Sequence, residues 1–133
     1  MILLDTNICI YIINAKPPEV LARFQQYRMG EVGLCSVAAA ELAFGVAKSG
    51  SARNRLALEM FLAPLTILPF DEAAVWAYGD LRADLERRGS PIGALDTMIA
   101  AHALSQRALL VTNNTREFAK VPGLQLDNWA VAT

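Results

Sequence analysis

The sequence predicts an α/β fold with a mostly parallel central sheet flanked by helices. Short apolar runs at residues 2–4, 32–35, 65–68, 108–111 and 124–126 alternate with longer segments of helical character, the order produced by successive strand–helix units. The first run, Ile2, Leu3 and Leu4, is uninterrupted, as expected of a strand covered on both faces. At 133 residues, 54% of them hydrophobic, the chain is expected to form a single domain spanning 1–133 with a sizeable core.

The elements follow in order. The first strand ends on Asp5, and residues 8–13 suit a short helix broken by Lys16, Pro17 and Pro18. A second helix starts at Pro18, where proline is tolerated in the first turn, and carries Leu21, Phe24 and Met29 down to Gly30. After the strand at 32–35, Ser36 is positioned to cap an alanine-rich helix over 37–48 that contains Glu41. The Ser49–Gly50–Ser51 tract is a loop, a helix over 53–62 is ended by Pro64, and the strand at 65–68 follows. Asp71 caps a long helix to Arg88, with Ala74, Tyr78, Leu81 and Leu85 repeating at helical spacing and Asp80, Arg82, Asp84, Glu86, Arg87 and Arg88 on the solvated side. Asp84 and Arg88 stand in the favourable acid-before-base order. A turn at 89–93 leads to Asp96, which opens an apolar helix over 97–105; the strand at 108–111, a short helix at 115–119 and the strand at 124–126 complete the chain.

Composition excludes several classes. With 19% charged residues and a formal net charge of −1, the chain is neither disordered nor a globally basic nucleic-acid binder. No apolar run approaches the roughly 20 residues that span a bilayer, and the start of the chain lacks a basic leader. A cytoplasmic protein is therefore expected. Cys9 and Cys35 lie in apolar sequence and read as buried free thiols rather than a disulfide framework or zinc site.

Most of the thirteen acids are explained by helix faces, caps and turns. Asp5, Glu41 and Asp96 are not so easily explained, because each sits among apolar residues where an unpartnered carboxylate is costly. Asp96 alone reads equally as a helix cap, and Glu41 alone as a residue on an exposed helix face. Asp5 lies at the carboxyl edge of a strand, where open parallel sheets bind ligands. If the three converge at that edge, they suit a hard divalent ion such as Mg²⁺ or Mn²⁺, and the chemistry is phosphodiester hydrolysis.

The opening residues 1–13, with Leu-Leu-Asp-Thr-Asn, resemble those of PIN-domain proteins, and among them the VapC ribonuclease toxins of bacterial toxin–antitoxin pairs. The likeness continues through residues 36–45 (SVAAAELAFG), 91–103 (PIGALDTMIAAHA) and 111–129 (VTNNTREFAKVPGLQLDNW), in the family's order. The resemblance implies a PIN-like fold in which Asp5, Glu41 and Asp96 are the catalytic acids, Asp5 and Asp96 metal ligands, and Thr6 a support for Asp5. Where many PIN domains carry an acid in a strand-end T-x-D motif, Asn114 follows Thr112 and Asn113 here. An amide can ligate a metal but adds no charge. Glu117 either supplies the missing carboxylate or only favours the start of a short helix.

The resemblance further implies an endoribonuclease acting on structured RNA, by analogy a tRNA anticodon loop, with 5′-phosphate and 3′-hydroxyl products. It also implies a homodimer and a cognate VapB-like antitoxin whose C-terminal segment blocks the acids, with operator DNA bound only through that antitoxin. His102, six residues after Asp96 and on another helix face, reads as structural. The Ser49–Ser51 tract lacks the lysine of a phosphate loop, and Asn7 occupies the position where a haloacid-type phosphatase needs its second aspartate. Arg82, Arg87, Arg88, Arg107, Arg116 and Lys120 form either a basic rim for RNA phosphates or ordinary solvated surface. Two rival readings are a catalytically weak binding module working through the antitoxin at DNA, and a structure-selective DNA nuclease.

Overall fold

Strand β1 (Ile2–Leu4) is the middle strand of a five-stranded sheet in the order β3-β2-β1-β4-β5, with β2 at Val32–Cys35, β3 at Thr66–Leu68, β4 at Leu109–Val111 and β5 at Gln125–Asp127. This computed structural model describes residues 1–130. Every strand pair is parallel, so the sheet is wholly rather than mostly parallel. Seven helices connect the strands among the described residues: α1 (Thr6–Asn14), α2 (Pro18–Phe24), α3 (Ser36–Ser49), α4 (Ala52–Leu62), α5 (Glu72–Arg87), α6 (Ala94–Gln106) and α7 (Thr115–Phe118). None of them is long and apolar enough to cross a membrane.

The apolar runs sit where they bury best. Leu3, Leu4, Leu34, Leu110 and Val111 are buried in the sheet, against Ile8, Ile99 and Phe118 from the helices. Cys9 and Cys35 are buried free thiols, as their setting predicts. In α5, Ala74, Leu81 and Leu85 are buried, while Arg88 pairs with Asp84 at 3.0 Å on the outer side.

Several boundaries differ from the sequence reading. The helix α2 stops at Phe24 rather than running to Gly30; Tyr27 leaves the helical path to stack on Trp129 at 5.4 Å, and Met29 is 81% exposed instead of joining an apolar stripe. Gly30 turns the chain toward β2 at φ +92°, a conformation side chains disfavour. Ser36 is not the cap of α3 but its first residue; its hydroxyl accepts the Phe70 N–H at 3.0 Å and ties the start of α3 to the link between β3 and α5. Helix α6 begins at Ala94, so Asp96 lies within its first turn rather than before it. The last strand is displaced by one residue, to Gln125–Asp127.

Register fixes what matters for the site. Leu4 is paired with Val111, and the Asp5 N–H bonds to the Val111 carbonyl at 2.9 Å. Asp5 and Thr112 therefore leave neighbouring strands side by side at the same edge.

Candidate active site

The sheet runs outward through β2 and β3 on one side of β1 and through β4 and β5 on the other. This reversal opens a crevice at the carboxyl ends of β1 and β4, the place where open α/β sheets bind ligands. Asp5 stands in it. It caps α1, with Oδ1 accepting the Thr6 N–H at 2.8 Å, and its Oδ2 accepts the Thr112 hydroxyl at 2.8 Å. Thr112 Oγ1 in turn accepts the Asn114 N–H at 3.0 Å. Burial pushes the Asp5 carboxyl up from its ordinary value, and the bonds from Thr112 and Thr6 pull it back.

Thr6 serves two acids. Its N–H goes to Asp5, while its hydroxyl donates to Glu41 Oε1 at 3.1 Å. The second turn of α3 thus brings Glu41 beside the start of α1. Asp96 arrives from the first turn of α6, and its carboxyl is raised from 3.8 to about 6 by burial first, then by the charges of Asp5, Glu41 and Glu117. Sequence positions 5, 41, 96 and 117 therefore face one electrostatic centre.

Glu117, on the short α7, adds the weakest of the charges that raise Asp96 and pairs with Lys120 at 3.2 Å. Asn114 sits at the start of α7 with no side-chain capping bond. Its contribution to the crevice is the backbone N–H that orients Thr112. Among the described residues, no three His, Cys, Asp or Glu side chains form a ready-made ion cage. Like charges without a counter-ion repel, and Mg²⁺ keeps several waters and needs only one or two direct carboxylates. The donor set consists of hard oxygen ligands with excess negative charge, which suits such an ion and not a soft metal.

Sequence reasoning missed a further link at this edge: Asn113 Nδ2 donates to the Tyr11 hydroxyl at 2.7 Å, joining the end of β4 to α1. Three of the six basic residues offered as a rim or as solvated surface are engaged by side chains of the same chain. Arg82 is engaged by Glu86 and Tyr78, Arg88 by Asp84, and Lys120 by Glu117 at 3.2 Å. Arg107 ends α6 just before β4, at the opposite edge of the sheet from the acids. Arg87 and Arg116 have no ion pair among the described residues. His102 is fully buried with its ring edge against Phe70, centroids 5.6 Å apart, and takes no part in the crevice.

Beside Thr6 and Glu41, helices α1, α3 and α4 leave an apolar groove of about 250 Å³ lined by Ile10, Ile13, Leu42, Val46 and Leu58. Of the acids, Glu41 alone lines it.

Comparison with known proteins agrees with this architecture. The PIN domain family model matches residues 2–124. The chain is 43% identical over 129 residues to the tRNA(fMet)-specific endonuclease VapC of Shigella flexneri, covering 96% of this chain and 97% of that one. It is 40% identical to the ribonuclease VapC2 of Rickettsia felis, covering 96% of both. Among solved structures, VapBC2 from Rickettsia felis bound to a DNA fragment from their promoter superposes with a TM-score of 0.90 at 40% identity, over 97% of this chain and 99% of that chain. DNA-bound VapBC from Salmonella typhimurium gives 0.88 at 38% identity, over 96% and 97%. A buried aspartate at the central strand's end, further acids from α3 and α6, and nearly full-length likeness lead to one assignment. The chain belongs to the VapC branch of the PIN-domain family.

Proposed function

We propose that this chain is the toxin of a type II toxin–antitoxin pair, an endoribonuclease that hydrolyses phosphodiester bonds in structured RNA and is neutralised by a VapB-like antitoxin. The observation that carries the reading is the convergence at one sheet edge of Asp5 and Glu41, both bonded by Thr6, with Asp96, whose carboxyl is raised to about 6 by burial first and then by neighbouring carboxylate charge. Such crowding is costly unless a cation is meant to relieve it.

Asp5 and Asp96 are the residues that would hold Mg²⁺ or Mn²⁺, with Glu117 as the further carboxylate in place of Asn114. When bound, the ion supplies a water nucleophile usable near neutral pH and offsets charge on the attacked phosphate. Thr112 and the Thr6 N–H fix both oxygens of Asp5. Glu41, its Oε1 held by the Thr6 hydroxyl, presents its other oxygen to the attacking water and takes its proton. Water adds to phosphorus as the P–O3′ bond breaks, the departing 3′ oxygen takes up a proton equivalent to the one Glu41 removed and leaves as a hydroxyl, and the 5′ end keeps the phosphate.

A tRNA is the proposed target, supported by the name of the Shigella relative, with the anticodon loop as the proposed place of cleavage by analogy with the family. The apolar groove ending at Thr6 and Glu41 suits an antitoxin segment that covers the acids. Operator DNA is reached through that antitoxin, and the toxin itself is proposed to act as a homodimer in the cytoplasm.

Mapping 5′-phosphate RNA ends in cells after brief induction, with Asp96→Asn as the control, tests activity, product chemistry and target together. New 5′-phosphate ends at one tRNA loop, absent in the control, are expected. Ends bearing a 2′,3′-cyclic phosphate would reject the water mechanism. In vitro, RNA and DNA hairpins offered side by side with Mg²⁺ separate this reading from a DNA nuclease.

A further inference from the structure

The turn that follows β4 is tied to helix α1 at two places. Thr112 donates to Asp5, the N-cap of α1, at 2.8 Å, and Asn113 Nδ2 donates to the Tyr11 hydroxyl, farther along the same helix, at 2.7 Å. Long helical side chains lean toward the helix N-terminus, which lets Tyr11 reach back to the residue next to Thr112. We propose that Tyr11 and Asn113 are positioning residues of this site, a strut that holds the turn at 112–114 against α1 so that the Thr112 hydroxyl stays on Asp5. Their role in the reaction rests on reading Asp5 as a catalytic acid.

The bonds close a ring. It runs from Asp5 along α1 to Tyr11, across to Asn113, back one residue to Thr112, and across to Asp5 again. A single bond between a turn and a helix is a pivot, whereas two bonds spaced along one rigid helix fix the orientation of the turn. The rest of the turn is spent on the same end. The Thr112 oxygen accepts the Asn114 N–H at 3.0 Å, and the Thr112 N–H goes to the Asp127 carbonyl of β5 at 2.9 Å. A threonine hydroxyl has one proton to give, and here it is aimed at Asp5 Oδ2. Asp5 and Thr112 are buried, while Tyr11 and Asn113 are half-buried, so the strut carries the layer between the buried pair and solvent. A functional side chain works at full rate only when its supporting contacts hold it in place, and a small misplacement costs rate rather than affinity.

Two measurements on the full chain test the strut. The first is amide hydrogen exchange by NMR, which needs no activity. Tyr11→Phe deletes one oxygen, and the Asn114 N–H, bonded to Thr112 Oγ1, is expected to exchange about three- to tenfold faster, with amides of β1 and β2 unchanged. Asn113→Ala is expected to do the same, and the double variant no more than either, since all three lack the same bond. Unchanged Asn114 protection overturns the strut. The second is cleavage of a labelled tRNA(fMet) transcript, the RNA in the Shigella relative's name, with Mg²⁺. Tyr11→Phe is expected to lower kcat about three- to tenfold with KM unchanged, and to lower it no further in a Thr112→Val background, where no hydroxyl remains to be held. Equal losses in both backgrounds show that Tyr11 does not act through Thr112 and overturn the positioning role. A raised KM with kcat unchanged makes Tyr11 a substrate contact and overturns it too. A parent chain that cuts no RNA, with Asn114 exchange nonetheless faster in Tyr11→Phe, sinks the nuclease reading and leaves the strut standing as a feature of the turn.

Discussion

Thr112 donates its hydroxyl to Asp5 Oδ2 at 2.8 Å across 107 positions of sequence, a buried bond between the ends of two adjacent parallel strands. Replacing the hydroxyl by a methyl group in Thr112→Val leaves the Asp5 oxygen and the Asn114 N–H without their partner. Loss of a buried partner of a charged group costs about 1–3 kcal/mol. The Asp5 carboxyl should rise further, because one of the two bonds that lower it is gone. Expected are a lower thermal midpoint and weaker Mn²⁺ binding, with Thr112→Ser close to the parent chain. Mn²⁺ binding by Thr112→Val equal to the parent's would show that the hydroxyl does not tune Asp5.

Asp96 makes stability depend on pH with a definite sign. Its folded value, about 6, lies above the unfolded 3.8, so the folded state binds the proton more tightly. The stability it contributes is complete below 3.8 and is lost as pH rises through about 6. In EDTA, the thermal midpoint of Asp96→Asn should therefore exceed that of the parent chain at pH 7.5, and the two should converge near pH 4. Mn²⁺ should reverse this order by stabilising the parent, by about 2.7 kcal/mol at a hundredfold excess over the dissociation constant. Scanning calorimetry with and without the ion reads both effects.

His102 acts in the opposite direction. Both ring nitrogens are buried without a hydrogen-bond partner among the described residues, and burial lowers its pKa below 6.5 against the weaker pull of Asp71. Its stability contribution is complete above 6.5 and falls as pH drops below that value. His102→Leu removes two orphaned polar atoms from an apolar setting. It should stabilise the protein by about 1 kcal/mol at neutral pH and flatten the acid limb of the stability curve. A steeper acid limb in the variant would contradict this account.

Gly33 in β2 leaves no room for a side chain, because a Cβ there would run into the Thr66 carbonyl oxygen of β3. Gly33→Ala should force β3 away from the sheet at a cost of about 1–3 kcal/mol. Hydrogen exchange should show β3 amides deprotected first, while the folded fraction still binds Mn²⁺ through residues that β3 does not carry. Uniform loss of protection across all five strands would argue against a local clash.

How much of this was legible in the sequence differs by level. The inner strands β1, β2 and β4 announced themselves because they are buried and read as short apolar runs, and Asp5, Glu41 and Asp96 stood out as charges in apolar company. The extent of α2 was not legible: Leu21, Phe24 and Met29 share a helical spacing, but Tyr27 gains more by stacking on Trp129 from the far end of the chain, a tertiary contact that local pattern cannot express. Ser36 has the chemistry of a cap and spends its hydroxyl on Phe70 instead. Whether Glu117 adds a carboxylate to the site or only favours the start of α7 is not legible in the sequence, because that depends on how the short helix sits against the sheet edge, which local pattern does not set. The basic residues read equally as a rim or as solvated surface because sequence does not reveal which of them are already occupied by acids of the same chain.

The pairing of β1 with β4 has a consequence for the moment at which the protein becomes dangerous. A chain still being synthesised exposes Asp5 and Glu41 early, but the threonine that holds Asp5 follows more than a hundred positions later. Domains fold as units once their last strands are available. A nascent copy is thus inert toward the RNAs that surround the ribosome until β4 has emerged and paired with β1, bringing Thr112 to Asp5.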